Sequence, residues 1–219
     1  MKKLLFPFIL FCSVQVATAQ LSYDAQLKYA YSASALFNKN ISDLGASQDY
    51  DFAFSQNYGA AFSVNYKFIG VGAELLLGNF VGGYQGGETV ATAYTSQVKL
   101  TTTQIPVYLR LGGEEGSFSE FGVVLHNVKA ASYAASTLPS SIDVTNNYQN
   151  FMGYMIGLGA RTKLSKLPLA ISLSARFMFS PEDAKGVDAE GDLLSNNTTQ
   201  YKTNAAAVGI HLGMVYILK

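Results

Sequence analysis

From Met152 to Phe179 the chain reads MGYMIGLGARTKLSKLPLAISLSARFMF, and this stretch decides the fold. Even positions up to Ala160 give Met152, Tyr154, Ile156, Leu158 and Ala160, against Gly153, Met155, Gly157, Gly159 and Arg161. Residues Thr162 to Leu167 turn the chain, and the parity then swaps. Leu169, Ile171, Leu173, Ala175, Phe177 and Phe179 now share one side, opposite Ala170, Ser172, Ser174, Arg176 and Met178. Two such runs joined by a short connection predict an antiparallel hairpin. One face is bulky and uncharged; the other carries Gly, Ser and Arg. A soluble sandwich or lipocalin would show the second face to water, where Lys, Glu and Thr are expected and glycine has no purpose. Turned the other way, the bulky face meets lipid, and the glycines leave room for Arg161 and Arg176 inside a narrow closed barrel.

The same period runs along the rest of the chain. A first strand sets Tyr23, Ala25, Leu27, Tyr29, Tyr31, Ala33 and Ala35 against Asp24, Gln26, Lys28, Ser32 and Ser34. A second, from Phe52 to Tyr66, turns near Phe68 to Gly70 into a third with Val71, Ala73, Leu75 and Leu77 outward and Gly72, Glu74, Leu76 and Gly78 inward. The fourth, about Val98 to Leu111, places Gln104, Pro106, Tyr108 and Arg110 inside. Pro106 cannot donate a ladder hydrogen bond and marks a bulge or a locally open pairing. The fifth directs Glu120, Gly122, Val124 and His126 inward. The opening hairpin supplies strands six and seven. The last strand sets Val208, Ile210, Leu212, Met214 and Tyr216 against Gly209, His211, Gly213 and Val215.

The expected fold is therefore all-β, an eight-stranded antiparallel, up-and-down transmembrane β-barrel. Long connections are expected at Asn38–Tyr50, Phe80–Ser96, Lys129–Gln149 and Ser180–Gln200, after strands one, three, five and seven. Short ones follow strands two, four and six. In outer-membrane barrels the short turns are periplasmic and the long loops extracellular, and an even strand count returns both termini to the periplasmic side.

Composition agrees with export. The chain has 219 residues, 49% hydrophobic and 14% charged, with 14 Tyr and 14 Phe but no Trp. Lys2 and Lys3, an apolar run from Leu4 to Val16, and Ala17, Thr18 and Ala19 form the pattern of a secretory signal. Residues 1–19 are expected to be the signal peptide and 20–219 the barrel domain. Removing the signal leaves 13 basic against 15 acidic residues, a net charge of about −2 that argues against nucleic acid as partner. Cys12, the one cysteine, lies within the signal, and Phe11 before it does not suit a lipoprotein. Stability must then come from strand closure and packing instead of disulfides.

Three stretches resemble the PorT-like outer-membrane β-barrel domain family of bacteria: Gln104 to Arg110 with its Ile105-Pro106 pair, Gly157 to Gly159, and Ala175, Arg176 and Phe177. Gln104 departs from the acidic residue often found there, and the chain runs past Tyr216 to Ile217, Leu218 and Lys219. The resemblance implies location and fold. It also allows partnership with secretion or motility proteins, because some members resemble parts of secretion or gliding machinery. Outer-membrane lipid is one expected partner, and the barrel-assembly machinery is another during biogenesis, recognising Tyr216 or tolerating the extension.

Inward parity nominates Glu74, Arg110, Glu120, Arg161 and Arg176 as a lumen charge network, with His126 and His211 nearby. A carboxylate and guanidinium network that fills the lumen is the simplest account. Within it, Arg110, Glu120, Arg161 and Glu74 are expected to form a ring near the short turns, with Arg176 above. A narrow transport pore and a membrane enzyme remain alternatives, but eight strands enclose little beyond side chains. No serine nucleophile with a base and orienting acid is evident, so no catalytic residue, cofactor or metal ligand is assigned. The acids Glu182, Asp183, Asp188, Glu190 and Asp192 do not complete a calcium loop. Gly82, Gly83, Gly86 and Gly87 lack the lysine and helix of a phosphate cradle, and Asn40 and Asn196 begin glycosylation-like triplets. The expected role is that of a structural or interaction protein acting through its extracellular loops, or a component of a secretion or gliding apparatus.

Overall fold

The computed structural model describes residues 21–39, 48–87, 93–164, 167–184 and 202–218. The expected signal, the Asn40 and Asn196 triplets, and Asp188, Glu190 and Asp192 lie outside those residues. Eight long strands form the wall: β1 (Leu21–Asn38), β3 (Ala53–Tyr66), β4 (Ile69–Gly86), β5 (Tyr94–Gly112), β6 (Gly116–Ala135), β8 (Phe151–Lys163), β9 (Leu169–Ser180) and β10 (Thr203–Leu218). Two short strands, β2 (Gln48–Asp51) and β7 (Ile142–Asp143), sit beside β4 and β6 at the long-loop end. Each wall strand pairs antiparallel with its neighbours in sequence, and β1 pairs with β10 from Tyr23–Leu218 to Asn38–Thr203. The ring therefore closes and leaves no long free edge for aggregation.

Alternation sets which side chains enter. Leu158, Leu173, Ile210, Leu75 and Phe54 point outward and are more than half exposed, whereas Asp24, Glu74, Arg110, Glu120, Arg161 and Arg176 are buried. An exterior so apolar around an interior so charged is the surface arrangement of a membrane-spanning barrel. The closing strand continues past Tyr216: Ile217 is buried on the lumen side, its N–H donates to the Pro168 carbonyl, and Leu218 faces out. Ile217 and Leu218 are thus part of the wall and not an appendage.

The ladders fix the stagger. One row runs Ser22, Asn65, Gly70, Arg110, Glu120, Gly157, Arg176, Gly209 and back to Ser32 on β1. A circuit of the ring therefore displaces the chain by ten residues, from Ser22 to Ser32. Such a stagger goes with strongly tilted strands.

Three expected loops are shortened. The glycine-rich segment from Phe80 continues β4 to Gly86, and β5 begins at Tyr94. Gly82 and Gly83 are built into the wall, because Phe80, Gly82 and Tyr84 continue the inward alternation and the two rings fill the lumen. Likewise β6 runs to Ala135 instead of ending before Lys129. A bulge explains the hidden continuation. The β5–β6 register passes from Thr102–Val128 to Thr101–Ala130, so Lys129 is an extra residue. The insertion reverses parity and turns Ala131 and Tyr133 inward. At Asn38–Tyr50, the last three residues already belong to β2.

Pro106 leaves the pairing open instead of bulging it. The β4–β5 ladder reaches Ala73–Val107 and resumes at Leu76–Gln104 in unchanged register, while Pro106 stays aligned with Val124 on β6.

Candidate functional site

The inward face of the ladder row intersperses charge with glycine. Arg110, Glu120 and Arg176 share that row with Gly70, Gly157 and Gly209, so long side chains project across the lumen without meeting bulky neighbours. Gly157 sits between Glu120 and Arg176 on adjoining strands, and a Cβ there would lie 3.0 Å from Arg176 Cγ. Opposite, Gly72 receives the Tyr108 ring, whose Cζ would be 2.6 Å from an added Cβ.

Arg110 donates from Nε and Nη2 to Glu120 Oε1 at 3.1 and 2.7 Å. Glu120 Oε2 accepts from Arg176 Nε at 2.8 Å, and Arg176 Nη2 lies 2.7 Å from the same oxygen. Arg176 then crosses the lumen to Glu74, with Nη1–Oε2 at 2.8 Å and Nη2–Oε1 at 2.7 Å. Lys28 Nζ donates to Glu74 Oε1. Nearer the short turns, Asp24 Oδ2 accepts from Arg161 Nη1 at 2.8 Å, from Asn65 Nδ2 at 2.9 Å and from Ser63 Oγ at 3.1 Å. Arg110 Nη1 stands 3.8 Å from that oxygen and links the two groups. A continuous chain results: Lys28, Glu74, Arg176, Glu120, Arg110, Asp24, Arg161. Bidentate and shared pairing of this kind is what makes buried guanidinium tolerable. Tyr108, itself buried, adds a π-face to the cluster, with Arg176 Cζ at 5.2 Å, Arg110 Cζ at 5.4 Å and Lys28 Nζ at 5.9 Å from its ring centroid.

The structure brings all five nominated charges into this chain, but the expected ring differs. Arg161 pairs with Asp24 and not with Glu120, because Glu120 is opposite Gly157 and Arg161 is opposite Gly116. Glu74 aligns with the Pro106 gap, four residues beyond the Gly70 that faces Arg110, and it pairs with Arg176 and Lys28. Arg176 is the central bridge, not a residue above the ring. Asp24 and Lys28 were missing from the nominated set, although their even positions on the first strand already placed them inside. Taken with all seven groups ionised, four cations meet three carboxylates, an excess of one positive charge.

Toward the long loops the lumen becomes apolar. Leu36, Phe80, Tyr84, Val98, Leu100, Tyr133, Phe151, Met155 and Met178 form a buried cluster. The connection after β6 folds down onto it: Val144 and Tyr148 are buried, and Val144 N–H donates to the Ala131 carbonyl. A cavity of about 50 Å³ lies between this core and the charges, and both His126 and His211 line it despite their distance in sequence. His126 stacks on Phe151 at 4.4 Å and meets Phe80 edge-on at 5.6 Å. Of the acids after β9, Glu182 accepts from Met152 N–H and Asp183 from Thr203 N–H, so both tie the connection to neighbouring strands. Among the described residues no cluster of three or more His, Cys, Asp or Glu has the arrangement of a metal site.

No protein-family model matches the chain, and no curated protein matches it in sequence. Similar solved structures include outer-membrane proteins. OprG from Pseudomonas aeruginosa is 11% identical, with 90% of this chain and 95% of that chain covered and a TM-score of 0.46. Ail of Yersinia pestis is 10% identical over 89% and 99% of the chains, TM-score 0.40. Neisserial surface protein A is 8% identical over 87% and 95%, TM-score 0.39. The likeness is one of fold: an antiparallel sheet of eight strands closed in a ring.

Proposed function

We propose that this protein is an integral outer-membrane β-barrel with a side-chain-filled lumen, acting as a structural or interaction protein through the long connections at one end. One observation carries the reading: the charge chain crosses the lumen, and a buried aromatic and aliphatic core closes it beneath the long connections. A wall of eight strands leaves little room beyond such side chains. Chemistry on a substrate would need a nucleophile, base and orienting group together, and the histidines line a small cavity whose other groups are neutral or apolar apart from Arg176, which is paired with Glu74 and Glu120. The reading is therefore non-catalytic.

In planar lipid bilayers the purified barrel should give no discrete conductance steps; reproducible steps that vanish on antibody or chemical block would replace this reading with a narrow pore. Sidedness follows the loop asymmetry, with long connections extracellular and both termini periplasmic. Ser140→Cys, in the connection after β6, should react with an impermeant maleimide on intact cells, whereas Lys67→Cys in the β3–β4 turn should not. The reverse pattern would invert the barrel. A secretion or gliding role is a second reading, supported by the PorT-like stretch from Gln104 to Arg110, in which Pro106 opens the ladder and Arg110 anchors the charge chain. Loss of secretion or motility on deletion, with co-purifying machinery, would favour it over an isolated surface protein.

A further inference from the structure

The β3–β4 wall has a window. Ladder pairing runs from Tyr66–Ile69 to Asn57–Gly78, stops, and resumes between β2 and β4 at Asp51–Gly83. Between these bounds, Phe52 to Gln56 face Asn79 to Gly82 without ladder pairing, a length of roughly 17 Å at 3.3 Å per residue. Part of the window is barred from inside. Ser34 of β1 donates from Oγ to the Val81 carbonyl at 2.7 Å and accepts from Val81 N–H at 3.0 Å. Below that bar, Ser55, Asn57 and Asn79 line the cavity that also holds His126 and His211. Asn79 belongs by parity to the outer face, so the cavity reaches the edge of the wall.

Two imidazoles in the cavity lining lack partners. His126 is 3% exposed, and neither ring nitrogen has a hydrogen-bond partner; Nδ1 of His211 is buried and unpartnered as well. Gln104 and Asn57 also line the cavity and are bonded to each other, Gln104 Nε2 donating to Asn57 Oδ1 at 3.2 Å. Most of the remaining lining is apolar, including Leu76, Phe80, Val124 and Met155. Arg176 also touches the cavity, but its guanidinium is spent on Glu74 and Glu120. Neutral imidazole offers one donor and one acceptor, which matches a hydroxyl and gives an anion no free charge to meet. A volume of about 50 Å³ admits a head group the size of a few water molecules, but not a whole lipid. Phe54, Tyr58 and Leu77 are exposed on the outer surface beside the window.

We propose that this cavity binds the hydroxyl head of a single-chain, uncharged amphiphile that enters from the bilayer between β3 and β4 and leaves its tail outside against β3. The inference rests on the membrane-spanning reading and not on any role of the loops. The chain has two histidines, so their ring resonances report directly on the site. With the barrel in lipid nanodiscs, 1-octanol should shift both sets of ring signals saturably, and n-octane should not. Asn79→Trp, which fills the window, should abolish the response while the strand spectrum stays that of the parent. Where that variant does not fold, a Gln56→Cys/Asn79→Cys pair, opposite one another on the outer face where the β3–β4 ladder stops, serves: the response should disappear on oxidation and return on reduction. No saturable shift with octanol, or an equal shift with octane, overturns the site. An undiminished shift in folded Asn79→Trp or in the oxidised pair overturns the route. Bound water alone would give the first of these results.

Discussion

Replacing Glu120 by alanine tests the charge chain at its most connected carboxylate. Glu120 is fully buried and stands between two arginines, with Arg110 Nε and Nη2 on one oxygen and Arg176 Nε and Nη2 on the other, all at 2.7 to 3.1 Å. Truncation removes a partner from both guanidiniums and raises the buried excess from one positive charge to two. Breaking a buried pair in this way costs about 3 to 5 kcal/mol. Arg176 keeps Glu74, and water entering the space softens the loss, so the lower part of that range is expected. At a denaturant slope of about 2 kcal/mol per M, the urea midpoint should fall by about 1.5 M or more. Glu114→Ala is the control, because its 2.8 Å pair with Lys163 is partly exposed at the rim. A pair of that kind is worth about 0 to 1 kcal/mol, so its midpoint should barely move. Glu120→Gln separates charge from volume, and it should lose most of what alanine loses. Equal midpoints for Glu120→Ala and Glu114→Ala, or a Glu120→Gln protein as stable as the parent, would refute the claim that these charges hold the barrel.

Leu173 faces outward between Ala160 and Leu212, so Leu173→Arg should impair assembly by about 2 to 4 kcal/mol if it lies near mid-membrane; folding in lipid as complete as the parent's would put the outward face in doubt. Gly72→Val places a side chain where Tyr108 Cζ and Oη now lie, so near-ultraviolet dichroism of the tyrosines should change and the unfolding midpoint should fall. An unaltered spectrum would mean that the ring packs elsewhere. Asp143 accepts from the hydroxyl and then the N–H of Thr145, which hold its carboxyl below the usual range. A depressed folded value means that the turn's stabilisation is complete above the unfolded pKa and is lost as pH falls through the folded one. Amide exchange at Thr145 should therefore stay protected through the ordinary carboxylate range and accelerate only at lower pH. Acceleration already in the ordinary carboxylate range would contradict the hydrogen bonds.

Outer faces were legible because period two needs only local sequence. Leu27, Phe62, Leu109, Leu158 and Leu212 point outward where parity places them. The misread segments are those in which parity is masked. Phe80 to Gly86 mixes glycine with inward aromatics and resembles a flexible connection, and at Lys129 one inserted residue reverses the pattern. Val144 and Tyr148 are apolar residues in a polar connection, and only the open mouth of the barrel gives them a core to join. Hairpin neighbours were also accessible: Arg110 and Glu120 flank one short turn and are register partners. Partners across the lumen were not, because they depend on the ten-residue stagger, which no single turn encodes.

That distinction explains why the two missed residues, Asp24 and Lys28, matter so much. Both belong to β1, the strand that closes the ring against β10. Asp24 reaches Arg161 on β8 and Lys28 reaches Glu74 on β4, while Arg176 on β9 meets Glu74 from the opposite side of the ring. None of these three bonds joins neighbouring strands. Ladder hydrogen bonds fasten each strand only to the next and say little about the width of the ring, whereas ion pairs across the lumen are made only when all eight strands have closed with the correct stagger. A barrel slipped by two residues would keep every apolar side chain outward, because facing has period two, but it would displace Lys28 and Asp24 from Glu74 and Arg161 and leave buried charges unpaired inside. The buried charges therefore select one closure among several that the apolar outer face would accept equally well.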